Sequence, residues 1–483
     1  GFWARVEGRR GSVFALENMV DRGARGTGDW RRFELSISIP PNAARIFIGV
    51  SMSGTGVAWF DDLSLDVDES VEVPPYPEMP PPPRPVPSQA LQDDAALRIP
   101  GAKAPAARWA HPIRSLFSDD FADLEFLAPL LEGKRVVQMG ESSHGVAEFS
   151  WMKVRLVKYL HERLGYDVIA FESSLSGCDV ADSRIGRQSP REVMRDCLFG
   201  VWFTSEVQAL FEYLEAQRKA GRPLYLAGFD TQNSGQARGA VSERLVRFAA
   251  MIDAKLAATV LEDEGNLRWP IAAKDSARMG ATYSELADRL SKSRDGLLKR
   301  GADASQLDIT IQESRSRARL VQQLSRKPEE GYPIRDEGMA DNLDFLLDGK
   351  YAGRKVITWA HNLHIAKDPR PLAQWRTMGT LVAKRRGSEV YAIGLYAGHG
   401  VAAENDRTPY DITPPLPDSL EAILAGAGWK MSFTDLSRNP VPPWAEETIL
   451  YREGGKYPAK LVPAHAYDGV IYIDTVTPPE YLQ

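Results

Sequence analysis

Cysteine is nearly absent. The chain has 483 residues and two cysteines, Cys178 and Cys197. Two thiols are not a disulfide framework. The expectation is two half-buried thiols; the alternative is one bridge formed in an oxidising compartment. No C-x-x-C pair occurs, which excludes a cysteine-built zinc site. Long apolar runs are absent too. No stretch reaches roughly 18 uninterrupted apolar residues, so no membrane span is expected. Charge of one sign does not accumulate. The formal net charge is −6, the pI is about 5.8 and no long basic run appears, so neither nucleic acid nor an anionic membrane is expected as a partner. No repeat of fixed period and no signal peptide are seen. The chain opens "GFWARVEGRR" without a methionine, from which removal of the true N-terminus is expected.

What is present is enough for a sizeable core in two or three domains: 43% hydrophobic residues against 26% charged ones. Residues 1–68 read as β. The runs "FWARVEG", "SVFALEN", "WRRFELSISI", "ARIFIGVSM" and "GVAWFDDLSLDV" are rich in aromatic and β-branched residues, with turn residues between them. The stretches "GTGDWRRFELSISIP" and "SGTGVAWFDDLSLDV" resemble the C-terminal half of jelly-roll modules of the carbohydrate-binding type. That resemblance implies a possible glycan partner, opening strands before Gly1 and a chain that is a piece of a longer protein. Residues 69–104 read as a linker, because nine of the fourteen residues Pro74–Pro87 are proline and set an extended polyproline II spacer. A β-module joined to such a linker leans toward export, periplasmic or secreted, over the cytoplasm.

From about residue 105 to 483, apolar strands alternate with amphipathic helices. "KRVVQMG", "YDVIAFE", "RPLYLAGFD", "RKVITWAH", "EVYAIGLYAG" and "DGVIYID" read as buried strands, and residues of about 236–348 as a helical insertion. The expected fold class is α/β: a mainly parallel sheet flanked by helices. The reactive residues fall at strand ends. "RVVQM" delivers Glu141 and His144, "YDVIAF" delivers Glu172, "RPLYLAGF" delivers Asp230, and "RKVITWA" delivers His361 and His364. Ligands of open α/β sheets bind outside the carboxyl ends of the strands, so the shared location marks a candidate site. Glu141 with His144, and His361 with His364, are three apart and can point the same way on a helical turn. A glycine on each side of "ESSH" would let the backbone approach a substrate closely. "GESSHG" is one residue too long for the G-x-S-x-G nucleophile elbow. HxxH without the HExxH spacing is weak evidence for zinc. Trp202, Phe203 and Trp359 read as core rather than cleft lining.

Together, "GESSHGVAEF", "DVIAFE", "LAGFD", "RDEGMADN" and "ITWAHNLHIAK" resemble the erythromycin esterase family, over about residues 108–478. The resemblance implies an α/β core with a helical subdomain over a deep cleft. It implies opening of a macrolide lactone by water, with a small-molecule ester or macrolide as substrate and no cofactor. The family's functional glutamates and histidines fall on Glu141, His144, Glu172, His361 and His364. Its basic residue early in the first helix, usually arginine, falls on Lys153, a point charge without the bidentate fork of arginine. Lys153, Asp230, Arg335 and Asp336 are expected on the substrate side. The expected mechanism uses His144 as general base, Glu141 or Glu172 to orient it, and His361 or His364 as donor to the oxyanion or leaving alcohol. A divalent metal such as zinc among Glu141, His144, His361 and His364 is the competing arrangement, and a protein that binds or modifies polysaccharide is a third reading.

Overall fold

The computed structural model describes residues 1–8, 13–19, 23–24, 26–40, 43–50, 59–66, 90–100, 109–438 and 440–482. The expected Pro74–Pro87 spacer lies outside the described residues.

Among the described residues nine strands form the central sheet, in the order β4-β11-β14-β9-β5-β8-β6-β7 with β10 added to β9. They are β4 Ala110–Pro112, β5 Val136–Met139, β6 Val168–Ser174, β7 Tyr225–Asp230, β8 Val356–Trp359, β9 Val390–Ala403, β10 Pro409–Ile412, β11 Met431–Asp435 and β14 Gly469–Val476. β14, β9, β5, β8, β6 and β7 run parallel. β4, β10 and β11 pair antiparallel. β5, β6 and β8 are buried along their whole length, which is why they read as continuous apolar runs rather than alternating ones. Val137, Met139, Ile169, Phe171 and Trp359 join the core on one face, and Val136, Val168, Ala170 and Val356 join that on the other. Among the described residues, five helices between Arg238 and Leu324 build a third core around Phe248, Tyr283 and Leu320, and the next helix, Pro328–Phe345, packs its Met339, Ala340 and Leu343 into the core of the sheet. This is the expected mainly parallel α/β architecture with its helical insertion.

Of the five N-terminal runs, three form strands: β1 Phe2–Glu7, β2 Val13–Asn18 and β3 Arg45–Val50, antiparallel in the order β2-β1-β3. Residues 30–40 and 59–66 do not form strands, and Trp30 and Trp59 are 68% and 77% exposed. Their composition suits a strand, but a strand persists only where a neighbour completes its ladder. Among the described residues these two stretches have no such neighbour. The small sheet meets the rest of the chain at a hairpin of β12 Ile449–Glu453 and β13 Tyr457–Leu461, where the Arg5 guanidinium lies 5.9 Å from the Tyr457 ring centre.

The cysteines differ from the expected pair of thiols. Cys178 and Cys197 form a disulfide. Successive helices, Leu175–Arg184 and Pro190–Cys197, bring their Cα atoms to 4.4 Å in the buried core, within bridging range.

After β14 the chain crosses the first turns of two helices, Ala147–Leu164 and Ser205–Lys219. Glu148 accepts from the Thr477 amide at 2.7 Å and its hydroxyl at 2.8 Å, and Glu206 accepts from the Glu480 amide at 3.0 Å. Both carboxylates sit where first-turn amides lack intrahelical partners and favour negative charge.

Candidate active site

β5 ends at Met139, and sterics hold the next residue, Gly140, to glycine. A Cβ there would collide with Asn362 Oδ1, and one at Gly145 would collide with the Ala403 carbonyl. The glycines flanking "ESSH" therefore admit the protein's own β8 and β9 segments rather than a substrate. Asn362 fixes the contact: its Oδ1 accepts from the Leu395 amide at 3.1 Å and its Nδ2 donates to the Leu395 carbonyl at 2.9 Å. Its backbone amide donates to the Glu141 carbonyl at 2.9 Å. The "GESSH" and "HNLH" turns are thus bound to each other and to β9.

Glu141 is 1% exposed and fully engaged. Oε1 accepts from Trp202 Nε1 at 2.8 Å and meets His144 Nδ1 at 2.6 Å, and Oε2 accepts from Lys153 Nζ at 2.5 Å. Burial alone would raise its pKa, but the charges of Lys153 and His144 outweigh that and leave it below the ordinary glutamate value. Burial pushes Lys153 down to about 8, against the pull of Glu141. The ammonium also lies 4.6 Å from the Trp359 ring centre. Expected on the substrate side, Lys153 is instead 0% exposed behind Glu141. There it grips one carboxylate oxygen, a task for which a point charge suffices.

The His144 ring stands edge-on to Trp202 and to His361, at 5.0 and 5.2 Å between centres. His361 caps the short helix Asn362–Ile365: its Nδ1 accepts from the Leu363 amide at 3.2 Å. That bond makes Nδ1 an acceptor, so Nε2 carries the proton. Nε2 lies 3.3 Å from the Ser142 carbonyl and 3.6 Å from Glu453 Oε1. Burial, with the neighbouring His144 and His364, pushes His361 down to about 3, so it is neutral near pH 7. His364 is its opposite. Burial would lower it, but Glu172 and Asp336 raise it above the ordinary value. Its Nδ1 meets Asp336 at 2.8 Å, and its Nε2 lies 3.1 Å from Arg335 Nη1 and 3.4 Å from Glu172.

Arg335 ties the strand ends together. It grips Asp230 through Nε and Nη2, at 3.1 and 2.6 Å, and donates to Glu172 from Nη2 at 2.6 Å. Burial opposes its charge, yet Asp230 and Glu172 raise it. Glu172 also accepts from the His361 amide at 2.9 Å, and His364, Arg335 and His144 overcome burial to hold it far below the usual range. Asp336 accepts from Trp375 Nε1 at 2.8 Å and the Met378 amide at 2.9 Å. Asp230 and Asp336 are 1% and 0% exposed, so they sit beneath the histidines rather than facing a ligand.

All nine expected residues thus lie in one connected cluster. Reading the sequence missed four others. Trp202 is core in body, as read, but its indole N–H holds Glu141. The Ser143 hydroxyl donates to the Tyr410 phenol oxygen at 2.8 Å and Lys456 lies over the Tyr410 ring at 3.7 Å, so Ser143 is paired with a phenol rather than with a histidine base. Asn362 was visible only as the middle of "HNLH". Glu453, at a glycine-rich turn, carried no signal beyond an ordinary charged loop. Of the other histidines, His161 bonds Tyr213 at 2.7 Å and His111 stacks on Phe126.

The metal arrangement does not fit these donors. Both Glu141 oxygens are taken, His361 Nδ1 faces an amide, and both His364 nitrogens face other side chains. Among the described residues, no group of three or more His, Cys, Asp or Glu is placed to hold a metal ion.

A sequence model of the family described as erythromycin esterase matches residues 161–476. Glu172, Arg335, His361 and His364 lie inside that match; Glu141, His144 and Lys153 precede it. The chain is 28% identical over 393 residues to YbfO of Bacillus subtilis, a protein named provisionally as a hydrolase, covering 74% of this chain and 87% of YbfO. It is 22% identical over 397 residues to erythromycin esterase type II of Escherichia coli, covering 74% and 93%. A crystal structure of a Bacillus cereus protein superposes with a TM-score of 0.67 at 19% identity, over 78% of this chain and 97% of that one. That likeness shows the fold. The family match and the relatives' names support a hydrolase.

Proposed function

Because the chain belongs to the erythromycin esterase family, we propose that it is a carboxylic ester hydrolase, with a macrolide lactone among its candidate substrates, working through water activated at His144. One observation carries this reading: the Glu141–His144 pair at 2.6 Å, with Glu141 gripped from behind by Lys153 and Trp202. Glu141 binds Nδ1, so Nε2 is the nitrogen left to take a proton from water. The carboxylate orients the imidazole and stabilises the imidazolium that forms, as the acid does in a hydrolase triad. His361 contributes differently. It is neutral, and its Nε2 proton meets only the Ser142 carbonyl, at a long 3.3 Å, so it transfers that bond to the substrate carbonyl oxygen as charge develops there. Glu172 and Arg335 hold the backbone of His361 and the ring of His364 in register. No covalent intermediate is needed.

The test is a mass-spectrometric hydrolysis screen of erythromycin, simple alkyl and aryl esters and sugar esters. The wild type adds one water to at least one of them, and His144→Ala loses roughly 10²–10⁴-fold in rate. Unchanged activity in that variant refutes the scheme. Exhaustive chelation leaves the wild-type rate intact; activity that disappears and returns on adding zinc overturns the metal-free reading.

A further inference from the structure

The proposed reaction still lacks a donor for the leaving alcohol. His364 has both nitrogens engaged, and His361 is assigned to the oxyanion. The remaining acid is on the β12–β13 hairpin. Its turn, Glu453-Gly454-Gly455-Lys456, has two consecutive glycines at φ +62° and +70°, the backbone of a tight hairpin turn that only residues like glycine adopt readily. Tyr410 donates to the Gly454 carbonyl at 2.7 Å and so holds the turn against the "GESSH" segment. Glu453 is thereby aimed at the histidines, with Oε1 3.6 Å from His361 Nε2, too long for a hydrogen bond.

Glu453 differs from every other acid at the site. Glu141 has Lys153, Glu172 and Asp230 share Arg335, and Asp336 has His364. The cation-capable side chains facing Glu453 are His144, His361 and His364; behind it are Glu421 and Tyr451, whose hydroxyl donates to Oε2 at 2.8 Å. Three further phenols, Tyr396, Tyr410 and Tyr467, interact with it. Among the described residues, no lysine or arginine forms an ion pair with it. Its side chain is 27% exposed, more open than Glu141, Glu172, Asp230 or Asp336, so a ligand can reach it.

We propose that Glu453 is the general acid of this site, a catalytic residue that protonates the leaving alcohol. This rests on the ester hydrolase reading above. Water adds its oxygen to the acyl carbon while His144 takes its proton. The acyl carbon–oxygen bond then breaks as the Glu453 proton moves to the departing alcohol oxygen. The proton held by His144 restores Glu453 through water in the cleft, so one water is consumed and both groups return to their starting state. Burial, opposed by the Tyr451 hydrogen bond, raises the Glu453 carboxyl above the ordinary range, which suits this task. Tyr451 acts as a positioning residue.

The test compares an alkyl and an aryl ester of one acid. An aryl oxide leaves readily without a proton; an alkoxide does not. Glu453→Gln keeps the shape of the side chain. The expected result is a fall of about 10²-fold in kcat for the alkyl ester and a much smaller one for the aryl ester, with the alkaline limb of the pH profile lost. Glu453→Asp keeps that limb at reduced rate, and serves if the Gln variant does not fold. Tyr451→Phe removes a bond that favours the carboxylate and moves the limb to higher pH. Equal losses on both esters, or no loss on the alkyl ester, overturn the assignment. If His144→Ala abolishes hydrolysis and Glu453→Gln does not alter the alkyl-to-aryl ratio, only this proposal fails. The pair is made from an acid whose ester the wild type hydrolyses in the screen above; if the wild type hydrolyses nothing in that screen, the hydrolase reading fails and takes this one with it.

Discussion

Lys153 and Glu141 are opposite charges sealed from water and dependent on each other. Breaking such a pair strands one charge in the interior, at a cost of about 3–5 kcal/mol. Lys153→Met is expected to lose stability of that order in urea unfolding, and to lose activity because Glu141 no longer holds a fixed negative charge against His144. A variant that unfolds like the wild type contradicts the clamp. The same residues show what could be read from the sequence. Glu141, His144, Glu172, His361 and His364 each follow an apolar run, with Glu172 still inside β6, and strand ends converge at one edge of a parallel sheet. Which of them touch was not legible. Arg335 joins Glu172 and Asp230 across 163 and 105 positions of sequence, a distance that no local pattern spans. The contrast between neutral His361 and raised His364 depends on burial and on which carboxylates face each ring, and neither is written in "HNLH".

At the scale of elements, the segment after β14 hangs on two buried glutamates. Burial raises Glu148 to about 7, against the hydrogen bonds of Thr477. An unfolded glutamate titrates near 4.5, so between these values the native state holds a proton that the unfolded state has released. Stability from this group is therefore full below about pH 4.5 and declines as pH rises through 7, by about 3 kcal/mol in all. Glu148→Gln is expected to flatten that part of the stability–pH curve, as followed by thermal unfolding from pH 4.5 to 8. A slope that survives in the variant belongs to other groups. The disulfide acts at the same scale. It closes a loop of 19 residues' separation, for which the chain-entropy account gives about 3 kcal/mol. Cys178→Ser with Cys197→Ser is expected to lower the melting temperature with the sheet intact by circular dichroism. Elements legible in the sequence were those whose burial is uniform: β5, β6 and β8 as apolar runs, and the helix Ala147–Leu164 with Gly165 at its end in the left-handed region, φ 71°. The β12–β13 hairpin was not, because "YREGGKYPAK" is dense in charge and reads as solvated loop. Arg452 and Lys456 are nevertheless buried, held by the Ala397 and Gly398 carbonyls and by Glu404.

For the whole molecule, spatial order and chain order disagree. Most of the parallel sheet assembles from segments in sequence: β5, β6, β7, then β8 and β9. β14 alone fills the slot between β9 and β11, and β4 reaches the sheet only through β11. Sequence periodicity gave β14 as a strand but could not give its place, since neighbours in a ladder need not be neighbours in the chain. Its place has a consequence for how the protein is made. A ribosome releases β9 and β11 before the strand that separates them. Until β14 emerges, the nascent protein carries an open seam with an unpaired strand edge on each side, the kind of edge that invites pairing with another chain. Birth is therefore the most exposed moment in this molecule's life. Chains ending before Gly469 are expected to collect as insoluble, protease-sensitive material, while chains that include the last strand are recovered soluble.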